Sequence, residues 1–213
     1  MNYYYILGSG GFAKEVYFHA NQSLGDDFNF QGFIEKDSEI NSIKIGEKHF
    51  PVFSESDFLN ANKTPQNIAL LMGIGNPIII SKLKELFSNF DFPNIIHPSF
   101  IGDRDSISIG KGNIITPGCI FTCDIKIGSF NIFNLNTTIG HDSVISDCNV
   151  FNPGCNISGG VVIGSRNFFG TNCAVLQYLT IEDDCTIGAM SLINRNLSSN
   201  ITVVGVPAKP LIK

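Results

Sequence analysis

The chain has 213 residues, a formal net charge of −5, only 15% charged side chains, and 21 Gly and 18 Phe without Trp. That length suits one ordinary domain or two small ones, with a core that needs no staples. The acidic balance leaves no basic footprint for nucleic acid, and no apolar run reaches the roughly 18 residues of a membrane span. Met1 to Leu7 lacks the basic start and long apolar stretch of a signal peptide, so a cytoplasmic location is expected. Disulfides are not expected there. The six Cys contain no C-x-x-C, and no His follows Cys119 and Cys123 at finger spacing, so no metal site is expected.

In chain order, Tyr3 to Leu7 reads as a strand. Gly8-Ser9-Gly10-Gly11-Phe12-Ala13 follows, then a helix over about 13–22 that carries His19. A second strand, Phe30 to Ile34, ends at Glu35. Strand, glycine loop, helix, strand and acid fit the G-x-G-x-x-G/A pattern. In it, backbone N–H groups approach a phosphate and the acid takes a ribose hydroxyl. His49 falls in a polar loop. Ile68 to Ile74 is a third buried strand, and Asn76-Pro77 opens a helix with Asn as its cap. Residues 94–98, NIIHP, form a short strand and a stop, with His97 as a structural hinge. About 95 residues cannot hold a six-stranded dinucleotide domain, so one mononucleotide is the expected load.

From Ile109 the chain divides into consecutive six-residue blocks. The heads are Ile109, Ile115, Phe121, Ile127, Phe133, Ile139, Ile145, Phe151, Ile157, Ile163, Phe169, Val175, Ile181, Ile187 and Ile193. Neither a helical nor a simple strand period yields this. A solenoid does, with each block giving one short strand and one turn, the head inward and a small fifth residue filling the interior. With three blocks per coil, residues 18 apart stack, and Phe133, Phe151 and Phe169 fall in one ladder. Cys119, Cys155, Cys173 and Cys185 share the fifth slot and are read as reduced core filler.

The repeat resembles that of the hexapeptide-repeat acyltransferases, whose coils form a left-handed parallel β-helix and which work as homotrimers. The whole chain resembles the bacterial family of sugar acyltransferases. That family includes sialic acid O-acetyltransferase and the N-acetyltransferases of nucleotide-linked 4-amino-sugars of the UDP-bacillosamine and perosamine type. The matching pieces are GSGGFAKEV at 8–16, GFIEKD at 32–37, GIGNP at 73–77, IIHPSFIG at 95–102, TIGHDSVI at 138–145, FNPGCNISGGVVIG at 151–164 and VGVPAKP at 204–210. The expected fold is α/β plus β-solenoid. A Rossmann-like nucleotide-sugar-binding domain spans 1–97, and a left-handed β-helix acyltransferase domain with a C-terminal tail spans 98–213.

The resemblance implies transfer of acetyl from acetyl-CoA to the amino group of a nucleotide-linked 4-amino-4,6-dideoxy sugar, for surface-glycan synthesis. Such a transfer needs a base to take the amine's proton. Of the four His, His141 lies in the repeat beside Asp142, where a carboxylate orients the ring and raises its basicity. Adjacent residues of a regular strand face opposite ways, so their contact requires a turn. By resemblance His141 is the base and Asp142 its modulator. Also by resemblance, Gly10, Gly11, Phe12, Glu35, Lys36, Gly75 and Asn76 bind the nucleotide-sugar. Asn152, Gly159, Gly160, Gly170, Ala189, Pro207 and Lys209 take acetyl-CoA in a groove between subunits, with the Gly159 N–H on the thioester carbonyl. Two positions depart from the family: Phe12 and Val150 stand where members carry His. The second of those His residues helps hold the acetyl group, which would leave its role here to backbone groups, Asn149 or Asn152. The alternatives are O-acetylation of sialic acid or a related free sugar, and a catalytically inactive binding scaffold.

Overall fold

A computed structural model describes residues 2–36 and 40–211. Asp37, the last residue of the GFIEKD segment, lies outside them. The N-terminal part is a five-stranded sheet. Its strands are β1 (Tyr3–Leu7), β2 (Asn29–Glu35), β3 (Ser42–Ile45), β4 (Lys48–Ser54) and β5 (Ile68–Met72), in the order β3-β4-β2-β1-β5. All pairs are parallel except the β3–β4 hairpin. Helix α1 (Gly11–Leu24) follows the glycine loop, α2 (Glu55–Ala61) follows β4, and α3 (Pro77–Leu86) follows β5. Asn76 caps α3, its Oδ1 accepting from the N–H groups of Ile78 and Ile79 at 3.0 and 3.2 Å. The hairpin and α2 were not expected. His49 therefore lies in β4, paired opposite Lys44, and not in a loop. No helix among the described residues is long and apolar enough to cross a membrane.

From Ile95 onwards the chain winds as a three-sided solenoid of two-residue strands. From Ser108 to Ile193 each strand pairs in parallel with the one 18 residues later, so Phe133 sits opposite Phe151 and Phe151 opposite Phe169; the first two rungs are offset by 19, and Thr186–Ile187 pairs with Thr202–Val203, 16 residues on. Fourteen of the fifteen hexad heads are buried, and Ile109, in the first coils, is half-buried. The rings of Phe133, Phe151 and Phe169 stack at 4.8 and 4.5 Å with interplanar angles of 7° and 11°. Cys119, Cys155, Cys173 and Cys185 are buried beside them. Ile95–Ile96 already pairs with Ile114–Ile115, so the solenoid's first rung precedes Pro98.

One fifth-position ladder is polar. Asn94, Asn113, Asn131, Asn149 and Asn167 stack, and each Oδ1 accepts the backbone N–H of the residue one coil on, at 2.7 to 2.9 Å. Buried amides are tolerable here because each satisfies the turn of its neighbour.

The N-terminal part covers one side of the solenoid. Ile114, Ile132 and Val150, on the outer face of that side, belong to the same buried cluster as Ile6, Leu83 and Phe92. Lys84 of α3 pairs with Asp147 at 2.8 Å. His97 Nε2 donates to Gln22 Oε1 of α1 at 2.9 Å, and its Nδ1 accepts from Ser99 Oγ at 2.8 Å. It ties α1 to the first coil, a structural role.

His19 of α1 is 3% exposed, 6.1 Å from the His97 ring, and its Nδ1 has no partner among the described residues. Burial, with help from His97, pushes its pKa down to about 4. An unfolded His takes its proton near pH 6.5, and the folded one only near 4. Stability is therefore complete above about pH 6.5 and falls as pH drops towards 4, by up to roughly 3 kcal/mol. His19→Leu is expected to flatten the urea midpoint over that window. An unchanged slope would locate the effect elsewhere.

Candidate active site

The TIGHDSVI segment, 138–145, turns a corner of the solenoid. Thr138–Ile139 is a strand, residues 140–143 turn, and Val144–Ile145 is the next strand. Asp142 has φ 58°, in the left-handed region, and this provides the turn that contact with its neighbour requires. His141 Nδ1 lies 2.7 Å from Asp142 Oδ2, and both side chains are exposed. A carboxylate only accepts, so Nδ1 carries a proton, and in the neutral ring Nε2 is the atom with the lone pair.

Gly159 lies one coil above His141. A β-carbon there would stand 2.5 Å from His141 Nε2 and 2.6 Å from Cε1, so only glycine lets the imidazole lie across this backbone. The Gly159 N–H has no partner among the described residues, while its C=O accepts from the Tyr178 N–H at 3.0 Å. The Gly160 N–H donates to the His141 C=O at 2.7 Å. Beside this corner the sheet face holds an open cavity of about 240 Å³ reaching Gly140, Asn156 and Ser158.

The expected acetyl-CoA residues fall on two edges of the solenoid. Gly159 and Gly160 share the His141 edge. Asn152 and Gly170 stack 18 residues apart on another edge, at the next corners but one in the chain. Ala189 continues that column, the Gly170 backbone packing so closely on Gly188 and Ala189 that a side chain has no room. The C-terminal segment then crosses over, the Ala208 N–H donating to the Leu192 C=O at 2.8 Å, which brings Pro207 to the same edge. Lys209 is exposed in a short strand paired with Val204.

Val150 is 2% exposed, beneath the N-terminal part, and Asn149 is fully buried in the asparagine ladder. Neither can hold an acetyl group in a cleft. Asn152 spends its Nδ2 on the Phe169 C=O at 2.8 Å.

The N-terminal residues converge at the carboxyl ends of the parallel strands. β2 and β5 flank β1 on opposite sides, so the loops at 8–11 and 73–76 straddle the point where strand order reverses, where such sheets bind ligands. A β-carbon at Gly10, Gly11 or Gly75 would meet open space. Ser9 Oγ donates to Glu35 Oε2 at 2.7 Å, fixing the acid against the glycine loop. The start of α1 has no side-chain cap, which leaves its first N–H groups for a ligand. Phe12 is half-buried and packs on the core. Glu35 and Lys36 line a cavity of about 380 Å³ with Ile79 and Lys82 of α3. Among the described residues no three His, Cys, Asp or Glu side chains come together as a metal site would need.

A Rossmann-like sheet docked on a hexad solenoid, with a histidine and an acid at one corner, is the architecture of a hexapeptide-repeat acyltransferase. No family model matches the chain. A GDP-perosamine N-acetyltransferase of Escherichia coli O157:H7 is 29% identical over 220 residues, covering 100% of this chain and 83% of that one. The crystal structure of PerB from Caulobacter crescentus, in complex with CoA and GDP-perosamine, superposes with TM-score 0.87 at 27% identity, over 99% of this chain and 98% of that one. The acetyltransferase domain of PglB from Neisseria gonorrhoeae, in complex with acetyl coenzyme A, gives TM-score 0.85 at 26% identity over 99% and 100%. Over its whole length the chain is thus similar in sequence and fold to hexapeptide-repeat sugar acyltransferases.

Proposed function

We propose that the protein is an acetyl-CoA-dependent N-acetyltransferase acting on the amino group of a nucleotide-linked 4-amino-4,6-dideoxy sugar. The observation that carries this reading is the His141–Asp142 pair, with Nε2 unoccupied and aimed over Gly159. The relatives support it: one is named for GDP-perosamine N-acetylation, and solved neighbours hold CoA with GDP-perosamine, or acetyl-CoA.

The neutral amine attacks the thioester carbonyl carbon, forming C–N as C–S breaks. His141 Nε2 takes the amine's proton and passes it to the departing CoA thiolate, while Asp142 holds the ring and steadies its charged form. The free Gly159 N–H faces the developing oxyanion. Residues 1–97 hold the nucleotide, with phosphates at the start of α1 and a ribose hydroxyl on Glu35. Residues 98–213 carry the chemistry. The acetyl-CoA residues lie on two edges of one chain, so a complete groove needs the His141 edge of one copy facing the Gly170 edge of the next. We therefore place the active sites between subunits of a homotrimer in the cytoplasm.

Calorimetry with acetyl-CoA checks the donor. Micromolar binding that saturates at one site per chain is expected. An absence of heat would leave a catalytically inactive scaffold as the better reading.

A further inference from the structure

The fourth residue of every hexad from Gly112 to Met190 has a positive φ, fourteen positions in all. Glycine, Asn and Asp tolerate that conformation, whereas a bulky side chain there is an outlier. Nine of the fourteen are Gly, Asn or Asp, and the other five are Phe130, Cys148, Arg166, Tyr178 and Met190. Three of the five are explained within the chain. Phe130 and Cys148 are buried under the N-terminal part, and the Phe92 ring meets that of Phe130 at 4.9 Å. Arg166 holds Asp184 through two nitrogens, at 2.8 and 2.7 Å, and Asp183 at 3.1 Å.

Tyr178 and Met190 have no such partner. They are 72% and 65% exposed, and the Tyr178 hydroxyl and ring make no hydrogen bond or ring contact among the described residues. Their positions are not arbitrary. Tyr178 lies one coil above Gly160, with its ring filling the space that a β-carbon at Gly160 would need. It therefore stands on the His141 edge, next to the coil that His141 lies across. Met190 follows Ala189 on the other edge, and its N–H donates to the Thr171 C=O at 2.8 Å. Apart from the Tyr178 ring lying over the Gly160 backbone, no contact among the described residues offsets this conformational cost, which points to a return from outside the chain.

We infer that Tyr178 and Met190 contact the acyl donor, forming opposite walls of the groove, one from each of two neighbouring copies. The flat ring lies along the thioester end, and the flexible thioether packs on the apolar stem of the pantetheine arm. This rests on the proposed function.

The test is steady-state kinetics of Tyr178→Asn and Met190→Asn. Asn is a residue this turn favours, so the melting temperature is expected to hold or rise. The KM for acetyl-CoA is expected to increase about five-fold or more in each variant, with the KM for the sugar nucleotide unchanged, as loss of donor binding requires. Tyr178→Phe, which keeps the ring, is expected to retain the wild-type KM. An unchanged acetyl-CoA KM in either Asn variant would overturn the role of that residue. So would a rise confined to the sugar nucleotide. Failure of the wild-type protein to bind acetyl-CoA would instead overturn the proposed function, and this inference with it.

Discussion

His141→Ala is expected to lower acetyl transfer by about 10²–10⁴-fold while the fold stays intact. The ring is half-exposed, with its one hydrogen bond to the adjacent Asp142. Its loss therefore opens no cavity and strands no buried group, and the melting temperature should shift by no more than a few degrees. Activity falls because nothing else at this corner can take the proton. Cys123 occupies the same place one coil below, Gly159 one coil above, and Asp142 without the ring faces solvent. The check is initial rate against CD-monitored melting on the same sample. Near-wild-type turnover in a folded variant would remove His141 as the base.

Phe151→Ala is expected to cost about 3–5 kcal/mol, the range for removing a buried aromatic side chain. Phe151 is the middle ring of the stack, with Phe133 on one side and Phe169 on the other, and is fully buried. Both neighbours are held by their own rungs, so neither can collapse into the gap. Guanidinium unfolding of the variant should show the loss as a lower midpoint. A change below about 1 kcal/mol would mean the interior is plastic and the ladder is not a main support.

The hexad heads were legible because a narrow solenoid interior admits one inward side chain per block, whatever lies outside it. The same register placed the three stacked Phe and the four Cys. The His141–Asp142 contact was legible only as a condition, since the turn depends on the φ of Asp142. The asparagine ladder is just as periodic, with Asn113, Asn131, Asn149 and Asn167 at 18-residue spacing. Attention to small and apolar fifth residues hides it, because a buried amide counts as interior only when its partner one coil away is known. Val150 shows the other limit. Its burial comes from a domain distant in sequence, and no local pattern reveals which side of the solenoid that domain covers. The β3–β4 hairpin does carry a signal, with Ile43, Ile45, Phe50 and Val52 alternating about the Gly46-Glu47 turn, but the interleaved Lys, His and Pro of a solvated edge read as a polar loop.

The measurement that tests the account most directly is acetylation of a panel of GDP-, UDP- and dTDP-linked 4-amino-4,6-dideoxy sugars. Free sialic acid serves as the control, CoA release is followed, and the product bond is assigned by NMR. The account predicts acetyl-CoA-dependent formation of an amide on one of the nucleotide-linked sugars and no turnover of sialic acid. An ester on the free sugar, with every nucleotide-linked amine left untouched, would contradict it.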